Sequence, residues 1–271
     1  MTRYFLEVSY IGTEYAGFQI QRNANSIQAE VEKALQTLLK SGITLTGSSR
    51  TDAGVHALQN FFHFDTAMKV PLGIIYNLNA LLPQDIAAKN LVEVAPAAHC
   101  RFDAIGRRYS YHIYGVKNPF LTDRAYYYPY PLALERLQEA AAVLGSYSNY
   151  ASFSKRRTQV QTFDCAIIES NWRVEEERLV YHVRANRFLR GMVRGLVGTM
   201  LHVGKGKMQV EEFRKIIEQR NSSRVDFSVP ARGLFLEQVF FPDRYFLKGN
   251  DSMDTSKTAE SLLQNKNRML E

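Results

Sequence analysis

The sequence predicts an α+β fold of two similar halves, and three observations carry that reading. Stretches of two-residue alternation recur along the 271 residues. Apolar stripes at helical spacing are interleaved with them. The order strand, helix, further strands starts near residue 3 and again near residue 107. Two such sheets joined side by side would leave a cleft between the halves.

Each element has its own signal. Residues 3–10 set Tyr4, Leu6, Val8 and Tyr10 against Phe5, Glu7 and Ser9, the alternation of a half-buried strand. From Ser26 the period becomes helical, with Ile27, Val31, Ala34, Leu35, Leu38 and Leu39 on one face. Asn25, with Gln28 three residues on, is the expected cap. Segments 43–47 and 58–64 read as strands flanking a loop that contains Asp52. The second cycle begins with the alternating run from Arg107. After a proline-rich turn comes a helix with Leu134, Leu137, Ala141 and Leu144 on one face and Gly145 as C-cap. Strands at 162–172 and 179–185 follow, then a helix over 187–203 carrying Phe188, Met192, Val193, Leu196, Val197 and Met200. A helix at 209–219 and a strand at 233–241 close the fold. The expected boundaries are one lobe over 1–104, a second over 105–247, and a polar tail over 248–271 with a short helix near 257–270.

Composition narrows the function. No apolar run approaches the roughly 20 residues a spanning helix needs, and the start lacks the apolar region of a signal peptide, so a cytoplasmic location is expected. Cys100 and Cys165 fall in unrelated segments, which points to reduced structural thiols and away from disulfides or a zinc site. The remaining histidines show no metal-ligand spacing, and no metal is expected. Lys and Arg exceed Asp and Glu by 34 to 27, a formal net charge of +7. Local distribution says more than the total. Arg107-Arg108, Lys155-Arg156-Arg157 and the series Arg184, Arg187, Arg190, Arg194 are interleaved with Tyr or Phe. Cations meet phosphates and rings meet unpaired bases, so RNA is the expected partner.

Residues 46–57 concentrate the chemistry. They place one carboxylate, Asp52, between Arg50 and Gly54 at the foot of a loop. Alone, Asp-Ala-Gly is ordinary turn chemistry. Four more segments change that reading: Arg107 to Tyr111, Tyr150 to Phe153, Asn186 to Arg194, and Arg232 to Leu236. Together these five resemble the TruA family of tRNA pseudouridine synthases, over nearly all of residues 3–247.

The resemblance implies an isomerase that needs neither cofactor nor metal. It also implies the pseudouridine synthase fold, two α/β lobes with a largely antiparallel central sheet flanked by helices and the active site between them. By the same resemblance, Asp52 is the catalytic carboxylate, Arg194 its cationic partner, and Tyr109 the ring that stacks on the flipped uracil, its hydroxyl near the C5 proton. Arg50 would brace the space left by the flipped nucleotide, Leu234 and Phe153 would complete the pocket, and Arg190 would contact RNA. His56 is read as structural. The implied substrate is tRNA at the 3′ side of the anticodon stem-loop, gripped by a homodimer. The chain departs from the family at Ser48-Ser49, where Ala-Gly is usual. If that glycine has φ > 0, Ser49 forces another backbone path, at a strain of about 1 kcal/mol. Two alternatives stay open: a divergent paralogue acting on another RNA uridine, and a non-catalytic tRNA-binding or tRNA-folding protein. A nucleosidase is the third, marked by release of free uracil, and it usually needs a second carboxylate.

Overall fold

A computed structural model of the chain describes residues 1–68, 70–71, 73–155, 160–242 and 245. Residues 1–241 form one unit, and the other, 242–271, lies almost wholly outside the described residues, as does the expected tail helix. Arg156 and Arg157 are also outside them.

The first half runs β1 (Thr2–Tyr10), α1 (Ile27–Leu39), β2 (Thr46–Gly47), β3 (His56–Thr66), α2 (Ile74–Leu81) and β4 (Ile86–Val94). The second runs β5 (Gly106–Tyr114), β6 (Tyr126–Tyr127), α3 (Leu134–Val143), β7 (Ile167–Glu175), β8 (Arg178–Ala185), α4 (Met192–Gly204), α5 (Val210–Glu218) and β9 (Leu234–Phe240). One sheet takes in all the described strands, in the order β4-β1-β3-β9-β5-β8-β7, with β2 on β3 and β6 on β5. The class is α+β, as expected, and the sheet is mostly antiparallel. The two halves meet where β3 and β9 run parallel, through His56 opposite Phe235 and Ala57 opposite Leu236. β1 and β5, the first strand of each half, both stand second from that seam.

Alternation shows in parts of two central strands. In β5, Tyr109, Tyr111 and Ile113 are buried while Arg108 and His112 on the other side are half-buried. The same holds in β8, where Tyr181 and Val183 lie opposite Tyr111 and Tyr109. α3 packs on α4, α5 and β7.

Several boundaries differ from expectation for local reasons. Ser26, not Asn25, caps α1, its Oγ accepting from Ala29 N at 3.3 Å. Gly145 is not a left-handed cap; the chain tightens instead into a 3₁₀ turn over Leu144–Ser146. The expected helix at 187–203 begins only at Met192, because Gly191 at φ 74° breaks any helical path before it. The strand at 43–47 contracts to Thr46–Gly47, and that at 162–172 shifts to Ile167–Glu175. α2 and β4 had no expectation at all.

Candidate active site

The loop from Ser48 to Val55 leaves β2 and enters β3, and everything around it fixes its backbone. Tyr10 at the end of β1 bonds Thr51 Oγ1 through its hydroxyl at 2.8 Å. Asn60 in β3 donates from Nδ2 both to that hydroxyl, at 3.1 Å, and to Ser49 O, at 2.8 Å. Tyr10 and Asn60 are buried, so each of these bonds is shielded from water. Ser48 N donates to Phe61 O, and within the loop Val55 N donates to Asp52 O. Burial raises the Tyr10 phenol well above its usual range, so it stays a neutral donor.

A second layer comes from residues 11–18. Phe18 N donates to Thr51 O at 3.1 Å. Gly17, at φ 119°, lies so close that a Cβ there would stand 3.0 Å from Thr51 O. At Gly12 a Cβ would meet Val55 O at 2.1 Å, which no side chain tolerates. The backbone of 12–17 is therefore in direct contact with the loop that presents Asp52.

His56 ties this layer to the seam. Its Nδ1 accepts from Gly12 N at 3.0 Å, so Nε2 carries the proton and donates to Arg232 O at 3.0 Å. Burial lowers its pKa and keeps the ring neutral. The structural reading of His56 follows from these two bonds.

Asp52 is half-buried, and among the described residues its carboxylate has no hydrogen-bond or ion-pair partner. Tyr109 is near enough for the Asp52 charge to act on its phenol. Burial pushes that phenol up to about 12, with Arg107 pulling it down and Asp52 adding to the rise. The hydroxyl thus keeps its proton at neutral pH. The Tyr109 ring meets the edge of Phe188 at 5.0 Å between centroids and an interplanar angle of 81°.

The structure does not pair Arg194 with Asp52. Arg194 donates from Nε to Val229 O at 2.8 Å and from Nη2 to Phe227 O at 3.4 Å. Tyr111 adds a bond from its hydroxyl to Pro230 O at 2.7 Å. Both therefore hold the segment entering β9, whose Ala231 lies against Gly54 of the Asp52 loop. Arg194 reaches the Asp52 loop through that segment.

The other expected residues divide. Arg50 is exposed, two positions before Asp52. Leu234 opens β9, buried, opposite Tyr111. Arg190 is exposed, and its carbonyl accepts from Lys155 N. Phe153 is fully buried beside Phe213, at 6.0 Å between centroids, and presents no surface to a substrate in this structure. Ser49 is not among the residues of positive φ, so the backbone here is not in the left-handed region. Its buried hydroxyl accepts from Arg107 Nε at 3.3 Å. Sequence reasoning placed Tyr10 and Asn60 only as strand residues and gave Gly12 and Gly17 no role. Among the described residues, no group of His, Cys, Asp and Glu is placed to hold a metal ion.

A mostly antiparallel sheet flanked by helices, with a carboxylate unpartnered among the described residues on a firmly held loop, fits an RNA-modifying isomerase, and comparison with known proteins gives the class. A family profile described as tRNA pseudouridine synthase matches residues 7–103 and 140–242. The chain belongs to the tRNA pseudouridine synthase family. Among its relatives, tRNA pseudouridine synthase A of Bacteroides fragilis is 46% identical over 248 residues, 90% of this chain and 98% of that protein. The protein of the same name from Porphyromonas gingivalis is 42% identical over 252 residues, 91% of this chain and 100% of its own length. The one from Staphylococcus aureus is 36% identical over 254 residues, 92% of this chain and 96% of its own.

Proposed function

We propose that this protein converts uridine to pseudouridine in the anticodon stem-loop of tRNA, as a cytoplasmic homodimer with Asp52 as the catalytic carboxylate. The observation that carries the reading is the half-buried Asp52 carboxylate, unpartnered among the described residues, on a loop held by buried hydrogen bonds from both neighbouring strands. The relatives' name supports the tRNA substrate.

The reaction breaks the bond between ribose C1′ and uracil N1, turns the base, and rejoins it through C5. Asp52 either adds to C1′ or takes the 2′ proton, and both routes require an anionic oxygen fixed next to the sugar. The rigid loop supplies that fixation without reorganisation during the reaction. Tyr109, still protonated, offers a ring to the uracil and a hydroxyl near its C5, where a proton must leave before the product forms. Arg50 braces the flipped nucleotide, Leu234 borders the base and Arg190 meets the RNA backbone. Arg194 positions the β9 entry against the loop.

The test is to incubate the protein with unmodified tRNA and map pseudouridine by carbodiimide adduct stops, with Asp52→Asn alongside. Stops in the anticodon arm that vanish in Asp52→Asn, with tRNA binding retained, are expected. Binding without stops in the wild type would refute the isomerase and favour a binding or folding role, and free uracil would mark a nucleosidase.

A further inference from the structure

Arg107 is bonded in an unusual way for a largely buried guanidinium. It donates from Nε to Ser49 Oγ at 3.3 Å, from Nη1 to Ala104 O at 3.1 Å and Asn186 O at 3.4 Å, and from Nη2 to Arg101 O at 3.0 Å. Every acceptor is neutral. Its positive charge is left without a carboxylate among the described residues.

The acceptors matter more than their number. Ser49 immediately precedes Arg50, Asn186 immediately precedes Arg187, and the third acceptor is the carbonyl of Arg101 itself. One side chain thus gathers three backbone segments, each carrying a further arginine. Arg50 and Arg101 are exposed; Arg187 is half-buried and donates to Thr162 Oγ1 at 3.1 Å. No ion pair reaches any of the four among the described residues. Other arginines of the chain do have a carboxylate partner, as Arg3 has Asp65 at 2.7 Å and Arg108 has Glu169 at 3.1 Å. Arg101 feels Arg50 and Arg187 as like charges that lower its pKa further once burial has begun to do so.

A cluster of like charges with no internal partner is held together against its own repulsion, and a polyanion relieves that repulsion. The cluster also adjoins the reacting groups. Arg50 stands two residues before Asp52, and Arg107 two before Tyr109 on the same side of β5. A flipped nucleotide draws its flanking phosphates together, and cations set there offset that crowding.

We propose that Arg50, Arg101 and Arg187, gathered by Arg107, form a clamp for the RNA phosphates that border the target uridine. The clamp rests on the reading of Asp52 as the centre of an RNA-modifying site. Arg107 is its positioning residue, and the Ser49 hydroxyl couples it to the catalytic loop.

The experiment uses the full chain and a set of anticodon-arm RNAs, each with one neutral methylphosphonate linkage near the target uridine. Affinity is read by fluorescence anisotropy for wild type, Arg101→Gln, Arg187→Gln and, as an ion-paired surface control, Arg214→Gln. Wild type should lose roughly tenfold in affinity at one or two linkages. Arg101→Gln and Arg187→Gln should bind unmodified RNA more weakly, lose that linkage sensitivity, and show a log Kd versus log salt slope shallower by roughly 0.7 per contact. Arg214→Gln should match wild type. A wild type indifferent to every linkage, or variants that keep its full sensitivity and slope, would overturn the clamp. Pseudouridine yield measured on the same RNAs keeps the two readings apart: absent yield counts against the isomerase, whereas linkage sensitivity alone decides the clamp.

Discussion

Gly12→Ala should cripple catalysis without touching any residue that meets the substrate. A Cβ at position 12 would stand 2.1 Å from Val55 O, where ordinary contact begins at 3.4 Å. Relief requires the two backbones to part by roughly 1 Å, and neither can rotate out of the way as a side chain would. Val55 is bonded through its N–H to Asp52 O, so moving it moves the carboxylate loop. The shift also stretches the bond from Gly12 N to His56 Nδ1, 3.0 Å in the native chain. Overpacking of this kind costs about 1–3 kcal/mol in stability. A catalytic group misplaced by about 1 Å loses on the order of 10²-fold in rate. The assay is single-turnover release of tritium from C5-labelled uridine in an anticodon arm, with a thermal melt and an anisotropy Kd on the same preparation. Turnover should fall by about two orders of magnitude, with RNA affinity nearly unchanged. Gly42→Ala is the control, because nothing lies within 4 Å of a Cβ there. Wild-type turnover and melting in Gly12→Ala would refute the argument that this backbone contact holds the loop.

Further outcomes can be checked in the same assays. Tyr10→Phe removes the hydroxyl between Asn60 and Thr51, leaving buried polar groups unpaired; stability should drop by about 1–3 kcal/mol and turnover with it, measured by denaturant melts and tritium release. Burial holds His63 and His112 down at about 4, so below 6.5 the unfolded chain takes up protons that the folded one refuses. That stability is complete above pH 6.5 and is lost as pH falls toward about 4, partly opposed by His182, whose pKa is raised by Glu237 and then Glu175. Melting temperatures should therefore fall over that window, and a flat profile would contradict the assignment. Burial pushes the Cys100 thiol up to about 12 and Cys165 up to about 11. Neither should react with a thiol-specific chromogenic reagent in the native protein, and both should react once it is denatured.

The elements that sequence reading placed well are those with a strong period and a long run. β1, β5 and α1 were each legible because residue types alternate along the strands, or apolar residues follow one helical face, over nine residues or more. α2 escaped because it is eight residues long and its cap, Gly73, has no side chain to announce a start. β4 escaped because, as an edge strand, its middle residues are only half-buried and carry no clean alternation. The start of α4 was misplaced because Phe188 and Leu189 extend its apolar pattern past the left-handed Gly191.

At the site, the loop motif and its neighbouring arginine were readable in one short string, while its supports were not. Tyr10 and Gly12 lie some forty residues from Asp52 along the chain, and with the nearer Asn60 they look like ordinary strand and turn residues. Arg107 looked like one of a basic pair. Only packing showed it bonding Ser49, Arg101 and Asn186 at once.

By itself the sequence determined the long, strongly periodic elements, the separation of cationic from apolar stretches, and the short string that places Asp52 on a loop. These depend on neighbours within a few residues, where period and turn preference operate. The tertiary structure decided that β3 joins β9 in parallel, that Arg194 spends its donors on Val229 and Phe227, and that Ser49 meets Arg107. Those contacts depend on strand register and on backbones brought within a few ångströms across long stretches of chain, and no local pattern encodes such a distance.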